Sequence, residues 1–561
     1  VNGTIQHIKQ RFIHREVPIA PLITFRILFG ALMMVGALRF MWSGWIERLY
    51  GEPVFFFKYY GFEWVQVFDV PGMYLLYGIV ALSAGLVMLG LFYRAAIITF
   101  FLSFTYAELT DLTNYLNHYY LVCLLAFLLI FLPAQRRFSL DVWRKPKQRL
   151  DQVPVWTINM LILQLSIVYF FAGFAKLNPD WLFRAMPLAV WLPAKADLPL
   201  IGSLLTLSWM PFAFSWAGAL YDLTIPFWLM NRRTRPFAYA AVVVFHVLTR
   251  ILFNIGLFPF IMIFNTLIFF PASFHEKLLS RIGYRRRGEP EMGIREEGSV
   301  FTDAGLSGIF SRKTIASYKQ NPTLQIKGPF DLSEVDASIA PLFCKQSTAP
   351  KPEPQWPIRP SERSKVCRNP VSAFATSEIS NVYLYSASLL GVVESLLRSS
   401  RQILSVPSFY KLKGHCLATL LGVYFLIQLL LPLRYLLYPG NVLWTEEGYR
   451  FAWRVMLVEK AGQATFTVED PATGRRSEVI NSDYLTTFQE KQMVIQPDFI
   501  LQYAHFLAEE YREKYGIENP VVTVDCHVAL NGRASRRLID PDVNLAACRD
   551  GLAPKHWILR D

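Results

Sequence analysis

No charged side chain falls between Asp151 and Lys176. An uncharged, mostly apolar stretch of that length crosses a bilayer as a helix, which takes about 20 residues. Read for further stretches of this kind, the sequence predicts about nine spans, near 20–41, 73–92, 94–111, 115–133, 154–176, 212–231, 236–251, 253–272 and 413–437. The third and fourth, and the seventh and eighth, are separated by very short turns, so re-entrant segments could replace some of them. Hydrophobic residues make up 53% of the 561 residues and aromatic residues 15%, which excludes an ordinary soluble domain. The expected fold is a polytopic α-helical membrane protein, and the lipid bilayer is its first partner.

The net charge of +13 raises the question of nucleic acid. The basic residues, however, sit in short clusters beside apolar runs, as the positive-inside rule requires. Lys9, Arg11 and Arg15 precede the first span, and Arg94 lies between the second and third. Arg136, Arg137, Arg144, Lys145, Lys147 and Arg149 follow the fourth; Arg232, Arg233 and Arg235 follow the sixth; Lys277, Arg281 and Arg285 to Arg287 follow the eighth. With nine spans all five clusters fall on one side. That side is expected to be cytoplasmic, with the N-terminus on it and the chain from Tyr438 onward exported. No nucleic-acid partner is expected.

The first long apolar run, from Pro18, reads as a full span rather than a cleavable signal. The six cysteines show no CxxC and no metal-ligand spacing, so no metal is expected. Cys526 and Cys548 could pair if their region is exported.

Four regions follow: a helical membrane domain over 1–287, a linker or insertion on the cytoplasmic side over 288–412, a last span over 413–437 and an exported domain over 438–561. "STAPKPEPQWPIRPSERSK" is rich in Pro and charge and reads as disordered, and "YLYSASLLGVVESLL" could form a surface amphipathic helix. Beyond the last span, "GYRFAWRVMLVE", "ATFTVED" and "VVTVDCHVAL" alternate as strands do. "DFILQYAHFLAEEYREKYG" reads as a helix ended by Gly516. The exported domain is therefore expected to be mixed α/β and strand-rich.

Lys176 stands at the outer end of its span and has two readings. It could be an anchor, its methylenes on lipid and its ammonium among headgroups, and on position alone that is the commoner case. It could instead face the bundle, where burial disfavours the ammonium form and a neutral amine is a competent general base. The small residues of "AGFAK" would let a neighbouring helix approach closely and favour the inward orientation. At the same face, the turn between the third and fourth spans gathers Glu108, Asp111, Asn114, Asn117 and His118, a costly set beside hydrocarbon unless it serves something. A histidine within reach of a lysine base could stabilise an anion or pass protons. Asp222, and the pair His246 and Arg250, are read as structural, with Asp222 expected to pair with a base on another span.

Taken together, "PLITFRILFGALM", "YGFEWV", "NHYYL", "VYFFAGFAKLNPDWL", "FHVLTRILFNIGLFPF", "WTEEGYRFAWRVML" and "NGRASRRLIDP" resemble, in order, the vitamin K-dependent gamma-carboxylase family with its horizontally transferred transmembrane (HTTM) domain. The general look of "YPGNVLWTEEGYRFAWRV" suggests a bacterial homologue. The resemblance implies that Lys176, in the "AG-x-x-KL" segment, is the base that deprotonates vitamin K hydroquinone. It implies that His118 supports a later anionic step, with Asn117 and Asp111 as supporting residues. Animal enzymes of the family usually carry a second lysine just before the base; this chain has Ala175.

The implied enzyme is a carbon–carbon lyase-class gamma-glutamyl carboxylase. The hydroquinone anion reacts with O2 to give a strong base, which removes a γ-proton from a peptide glutamate so that CO2, supplied as bicarbonate, adds to the carbanion. The products are γ-carboxyglutamate and vitamin K epoxide. The implied cofactors are vitamin K hydroquinone, O2 and CO2/bicarbonate, and the implied partner is a glutamate-containing peptide or protein. Two alternatives stay open: a quinone epoxidase or oxidase without protein carboxylation, and a non-catalytic transporter or binding scaffold.

Overall fold

The computed structural model describes residues 15–253, 255–284 and 414–560. The expected linker over 288–412, with its surface helix, and the basic cluster Arg285 to Arg287 lie outside the described residues. The chain divides into two units, Val1–Leu306 with Tyr424–Asp561, and Ser307–Val423. In the second, the described part is the beginning of the last span.

A short strand, β1 (Glu16–Pro18), leads into α1 (Ala20–Trp42), α2 (Val70–Leu89), α3 (Tyr93–Leu109) and α4 (Asn117–Phe131). β2 (Gln152–Pro154) pairs antiparallel with β1, Val17 opposite Val153, and starts α5 (Trp156–Ala175) beside α1. After a short helix, α6 (Pro179–Arg184), come α7 (Met210–Met230), α8 (Arg235–Leu252), α9 (Phe258–Thr266) and α10 (Ala272–Ser280). α11 (Gly414–Leu430) opens the C-terminal part.

Five described helices are long and apolar enough to cross a membrane: α1, α2, α5, α8, and α11 with its extension to Leu437. α9 with α10 makes a sixth if a bent pair counts as one span. The span expected over 253–272 is broken, within the re-entrant alternative left open for it. Phe270 is extended, Pro271 cannot continue the helix, and the chain turns by 118° into α10. α3 and α4 form where spans were expected but have 17 and 15 residues. α7 has the length, but Asp222 and its Trp, Tyr and Pro residues lower its mean hydropathy.

Close approach organises the bundle. A Cβ on Gly30 of α1 would sit 2.5 Å from the Met88 nitrogen of α2, so glycine lets these two backbones meet. α2 begins with Asp69, whose side chain accepts from the Gly72 amide, and ends at Gly90 in the left-handed region. The carbonyls left open at its C-terminus are met by Arg26, which is fully buried and donates to Val87, Met88 and Phe138.

The C-terminal domain is built on a four-stranded antiparallel sheet in the order β4-β3-β5-β6. β3 spans Lys460–Glu469 and β4 Arg476–Glu478, followed by helices α12 (Thr487–Met493) and α13 (Pro497–Tyr515). β5 spans Val521–Leu530 and β6 Arg536–Arg537. The long β3–β5 ladder sets Lys460 opposite Leu530 and Glu469 opposite Val521. Alternation along it turns Phe466, Val468, Val522 and Val524 inward, onto Phe499 and Tyr503 of α13. α13 ends at Gly516 with φ 65°. One expectation for this domain changes, and the open question of a Cys526–Cys548 pair is answered. "GYRFAWRVMLVE" forms no strand but a series of turns, and Cys526 and Cys548 are both free thiols.

One end of the bundle carries this domain. Lys58 and Gln502 exchange two hydrogen bonds through the Lys58 backbone, at 2.8 and 3.0 Å. Trp191 Nε1 donates to Glu459 at 2.6 Å. Arg533 grips Asp180 with both terminal nitrogens, at 2.7 and 2.6 Å, and Asn531 donates to the same carboxylate at 3.1 Å. Burial pushes the Asp180 carboxyl up, but these donors outweigh it and hold it below the usual carboxylate range.

Candidate active site

Lys176 closes α5 at the end of the bundle that meets the C-terminal domain. Its orientation follows from Gly173, three residues earlier, where an added Cβ would meet the Leu223 nitrogen of α7 at 2.7 Å. That contact brings α7 against α5 and puts Asp222 opposite the lysine. Lys176 Nζ donates to Asp222 Oδ2 at 2.7 Å and to the Ala172 carbonyl at 3.2 Å. It also stands 5.3 Å from the centroid of the Trp181 ring. Both partners of the ion pair are 5% exposed. A lysine folded back on its own helix and paired inside the bundle is not anchoring itself in headgroups. Burial of two charges is tolerated here because each is the other's partner.

The pair lines a cavity of about 480 Å³. Its walls come from α4, α5, α7, α8 and α9 and are mainly aliphatic and aromatic, including Val168, Phe214, Phe245 and Met262. Its polar groups are Asn117, His118, Tyr169, Lys176, Tyr221, Asp222, His246 and Thr249. A pocket of this size, apolar with a few convergent polar groups, suits a small hydrophobic ligand.

The C-terminal domain contributes Trp453, Val455 and Met456 to the lining. They belong to the segment expected to be a strand. Its backbone is instead turned back on itself, with positive φ at Phe451 (60°), Trp453 (56°) and Met456 (59°). Non-glycine residues in that region cost about 1–3 kcal/mol each and persist only where surrounding contacts hold them. Here the contacts are aromatic: Trp453 stacks on Tyr120 at 5.1 Å, and Phe451 meets Tyr115 and Tyr120 edge-on, each at 5.0 Å. The Phe451 amide donates to the Tyr115 hydroxyl at 2.9 Å.

Of the four residues singled out from the sequence, three line this cavity: Lys176, His118 and Asn117. His118 is buried, its ring centroid 5.8 Å from that of Phe258. Asn117 accepts from the Tyr115 hydroxyl at 3.0 Å and reaches the Arg454 carbonyl at 3.4 Å, tying α4 to the Trp453 segment. Asp111 does not line the cavity. It caps the turn before α4, accepting from the Thr113 amide at 3.0 Å. Burial raises its carboxyl to about 6 despite that bond and the nearby Lys58.

Sequence reasoning set Asp222 and Lys176 apart and missed that each is the other's partner. The sequence offers an acid and a base, each alone on its span, but not the rotation of the helices that brings them together. Arg250 is exposed and takes no part, whereas His246 is buried against the cavity. A second, more polar cavity of about 360 Å³ borders the segment after α5, lined by Asn178, Asp180, Arg454 and Arg533 among others. Among the described residues no group of three or more His, Cys, Asp or Glu is placed to hold a metal ion.

Two family models match the sequence, the HTTM domain over residues 14–274 and the Vitamin K-dependent gamma-carboxylase, lumenal domain, over residues 413–561. The chain belongs to the vitamin K-dependent gamma-carboxylase family. No solved structure matches it. Membership supports a gamma-carboxylase-like enzyme in general terms. The domain over the cavity corresponds to the family's lumenal domain, and the apolar helices are those of an integral membrane protein. The matched lumenal region includes α11.

Proposed function

We propose that the cavity binds vitamin K hydroquinone and that the protein couples its epoxidation to γ-carboxylation of a peptide glutamate, with Lys176 as the base. The observation that carries this reading is the buried Lys176–Asp222 pair facing an apolar cavity. The cavity fits the group: its aliphatic and aromatic walls suit a naphthalene ring, and its lining includes the buried His246 Nδ1, which has no hydrogen-bond partner among the described residues. When bound, the reduced quinone together with O2 supplies the driving force for removing a glutamate γ-proton so that CO2 can add.

The protein's part is proton handling and exclusion of water. An ammonium cannot accept a proton, so Lys176 acts as a base from its amine form, with Asp222 as carboxylate beside it. The ion pair at 2.7 Å is therefore the protonated state of the base: once the amine is free, taking a proton restores the pair, and the carboxylate stabilises the ammonium as it forms. Arginine in place of Lys176 would keep the charge but stay protonated. His118 and Asn117 would face the ring from α4, with His118 able to donate to a developing anion. The Trp453 segment keeps water from a reaction that water would quench.

The more polar cavity at Asn178, Arg454 and Arg533 supports access by a second, hydrophilic substrate near the same end of the bundle, as a glutamate side chain requires. We read the N-terminus as cytoplasmic, which puts this access on the lumenal or exported side.

The test uses the full chain in nanodiscs with reduced vitamin K, O2, labelled bicarbonate and a glutamate-rich peptide. Epoxide with label in the peptide supports the carboxylase. Epoxide without label leaves a quinone epoxidase acting on another acceptor. Neither product from folded protein contradicts the reading.

A further inference from the structure

Deeper along α5 the cavity carries a second polar set that the chemistry above does not use. Tyr169 lies seven residues before Lys176, about 10 Å along the helix. The lysine amine folds back to the Ala172 carbonyl, which brings the two levels to within on the order of 5 Å along the axis. The Tyr169 hydroxyl is 3.4 Å from His246 Nε2 and 3.4 Å from the Thr266 hydroxyl. The Tyr221 ring packs 6.0 Å from Tyr169 and 6.4 Å from His246.

This set does not close on itself. His246 is 1% exposed, yet its Nδ1 has no hydrogen-bond partner among the described residues. A cluster that served only the core would satisfy its own donors and acceptors, because an unmet buried polar group is costly. Here the unmet atom is on His246, which lines the cavity.

We propose that His246, with Tyr169 and Tyr221, forms a second hydrogen-bonding pole that holds the far oxygen of a 1,4-dioxygenated aromatic ring whose near oxygen lies at Lys176 and Asp222. The inference rests on the quinone reading above and adds to it a fixed orientation of the ring. Neutral imidazole donates through one nitrogen and accepts through the other, so it can hold either a phenol hydroxyl or a carbonyl. The Phe258 ring lies 5.5 Å from His246 and 5.8 Å from His118, an apolar partner common to both histidines. His246 is thus a positioning residue at one end of the ring, and His118 serves the side nearer α4.

The test is equilibrium binding, without turnover and without oxygen, to the full chain in nanodiscs. The probes are 2-methyl-1,4-naphthohydroquinone and the two naphthols that each lack one of its hydroxyls, 2-methyl-1-naphthol and 3-methyl-1-naphthol. The wild type is expected to bind the hydroquinone about ten-fold or more tightly than either naphthol, the effect of one good hydrogen bond to a buried group. His246→Leu should lose the preference over one naphthol and keep it over the other; His246→Gln, which retains a donor and an acceptor, should restore part of it. Equal affinity of the wild type for all three overturns the second pole and leaves quinone binding standing, and this result needs no variant to fold. A preference that His246→Leu leaves unchanged overturns the role of His246. Binding of none of the three overturns both this proposal and the quinone reading.

Discussion

Replacing one partner of the Lys176–Asp222 pair leaves the other as an uncompensated charge inside the bundle. Both are 5% exposed, and the contact is 2.7 Å. Loss of one partner of a buried pair costs about 3–5 kcal/mol, whereas replacing both by apolar residues of similar volume is often neutral or stabilising. Lys176→Met additionally removes the cation from the Trp181 ring at 5.3 Å, about 0.5–2 kcal/mol. The expected pattern is therefore about 3–5 kcal/mol for Asp222→Leu and at least as much for Lys176→Met, with the double variant within about 1 kcal/mol of wild type. The coupling energy from this cycle should reach several kcal/mol. Reversible unfolding in mixed detergent micelles, followed by tryptophan fluorescence, reads all four proteins. A lysine solvated among headgroups would give single losses of about 0–1 kcal/mol that simply add. That result would refute the inward, paired placement.

Other expectations are simpler to read. Gly173→Leu should cost at least about 1–3 kcal/mol, as overpacking does, and should abolish epoxide formation by forcing α5 from α7; activity near wild type would contradict the helix contact. Asp111 is a buried carboxyl raised to about 6, so the folded state binds its proton more tightly than the unfolded chain. Its contribution therefore worsens as pH rises from about 4 to about 6. Asp111→Asn keeps a capping side chain without that charge, so its melting temperature should equal or exceed wild type at pH 7.5, with the difference vanishing near pH 4. For Asp180 the sign is reversed. Its carboxyl is held low by Arg533 and Asn531, so its stabilising share is present above about pH 4 and is lost as pH falls through its lowered value. Asp180→Asn should weaken seating of the C-terminal domain at neutral pH, seen as faster proteolysis between residues 438 and 460, with the difference shrinking as pH falls below about 4.

How far the sequence could be read differs by element. The apolar runs announced α1, α2, α5 and α8 because length and hydropathy alone decide a straight span. They could not announce the bend at Phe270 and Pro271, where composition stays apolar while the backbone turns. The inward orientation of Lys176 was foreshadowed by the small residues before it, among which Gly173 meets α7. The partner was not legible, since pairing between spans is set by rotation of the helices and not by spacing along the chain. The Trp453 segment misled for a physical reason. Its alternating pattern comes from aromatic side chains packed on Tyr115 and Tyr120 and from others facing the cavity, and alternation alone does not separate that from a strand. Asp111 was singled out by the resemblance and by its place in the polar turn before His118; it caps that turn and lies outside the cavity lining.

The central claim is that Lys176 works as a base and not as a fixed positive charge. The measurement is the rate of vitamin K epoxide formation in nanodiscs by wild type, Lys176→Ala and Lys176→Arg, each checked for fold and for quinone binding. Arginine keeps the charge and can still pair with Asp222. The account predicts that it nonetheless loses about 100-fold or more, as alanine does. An arginine variant within a few-fold of wild type would contradict it.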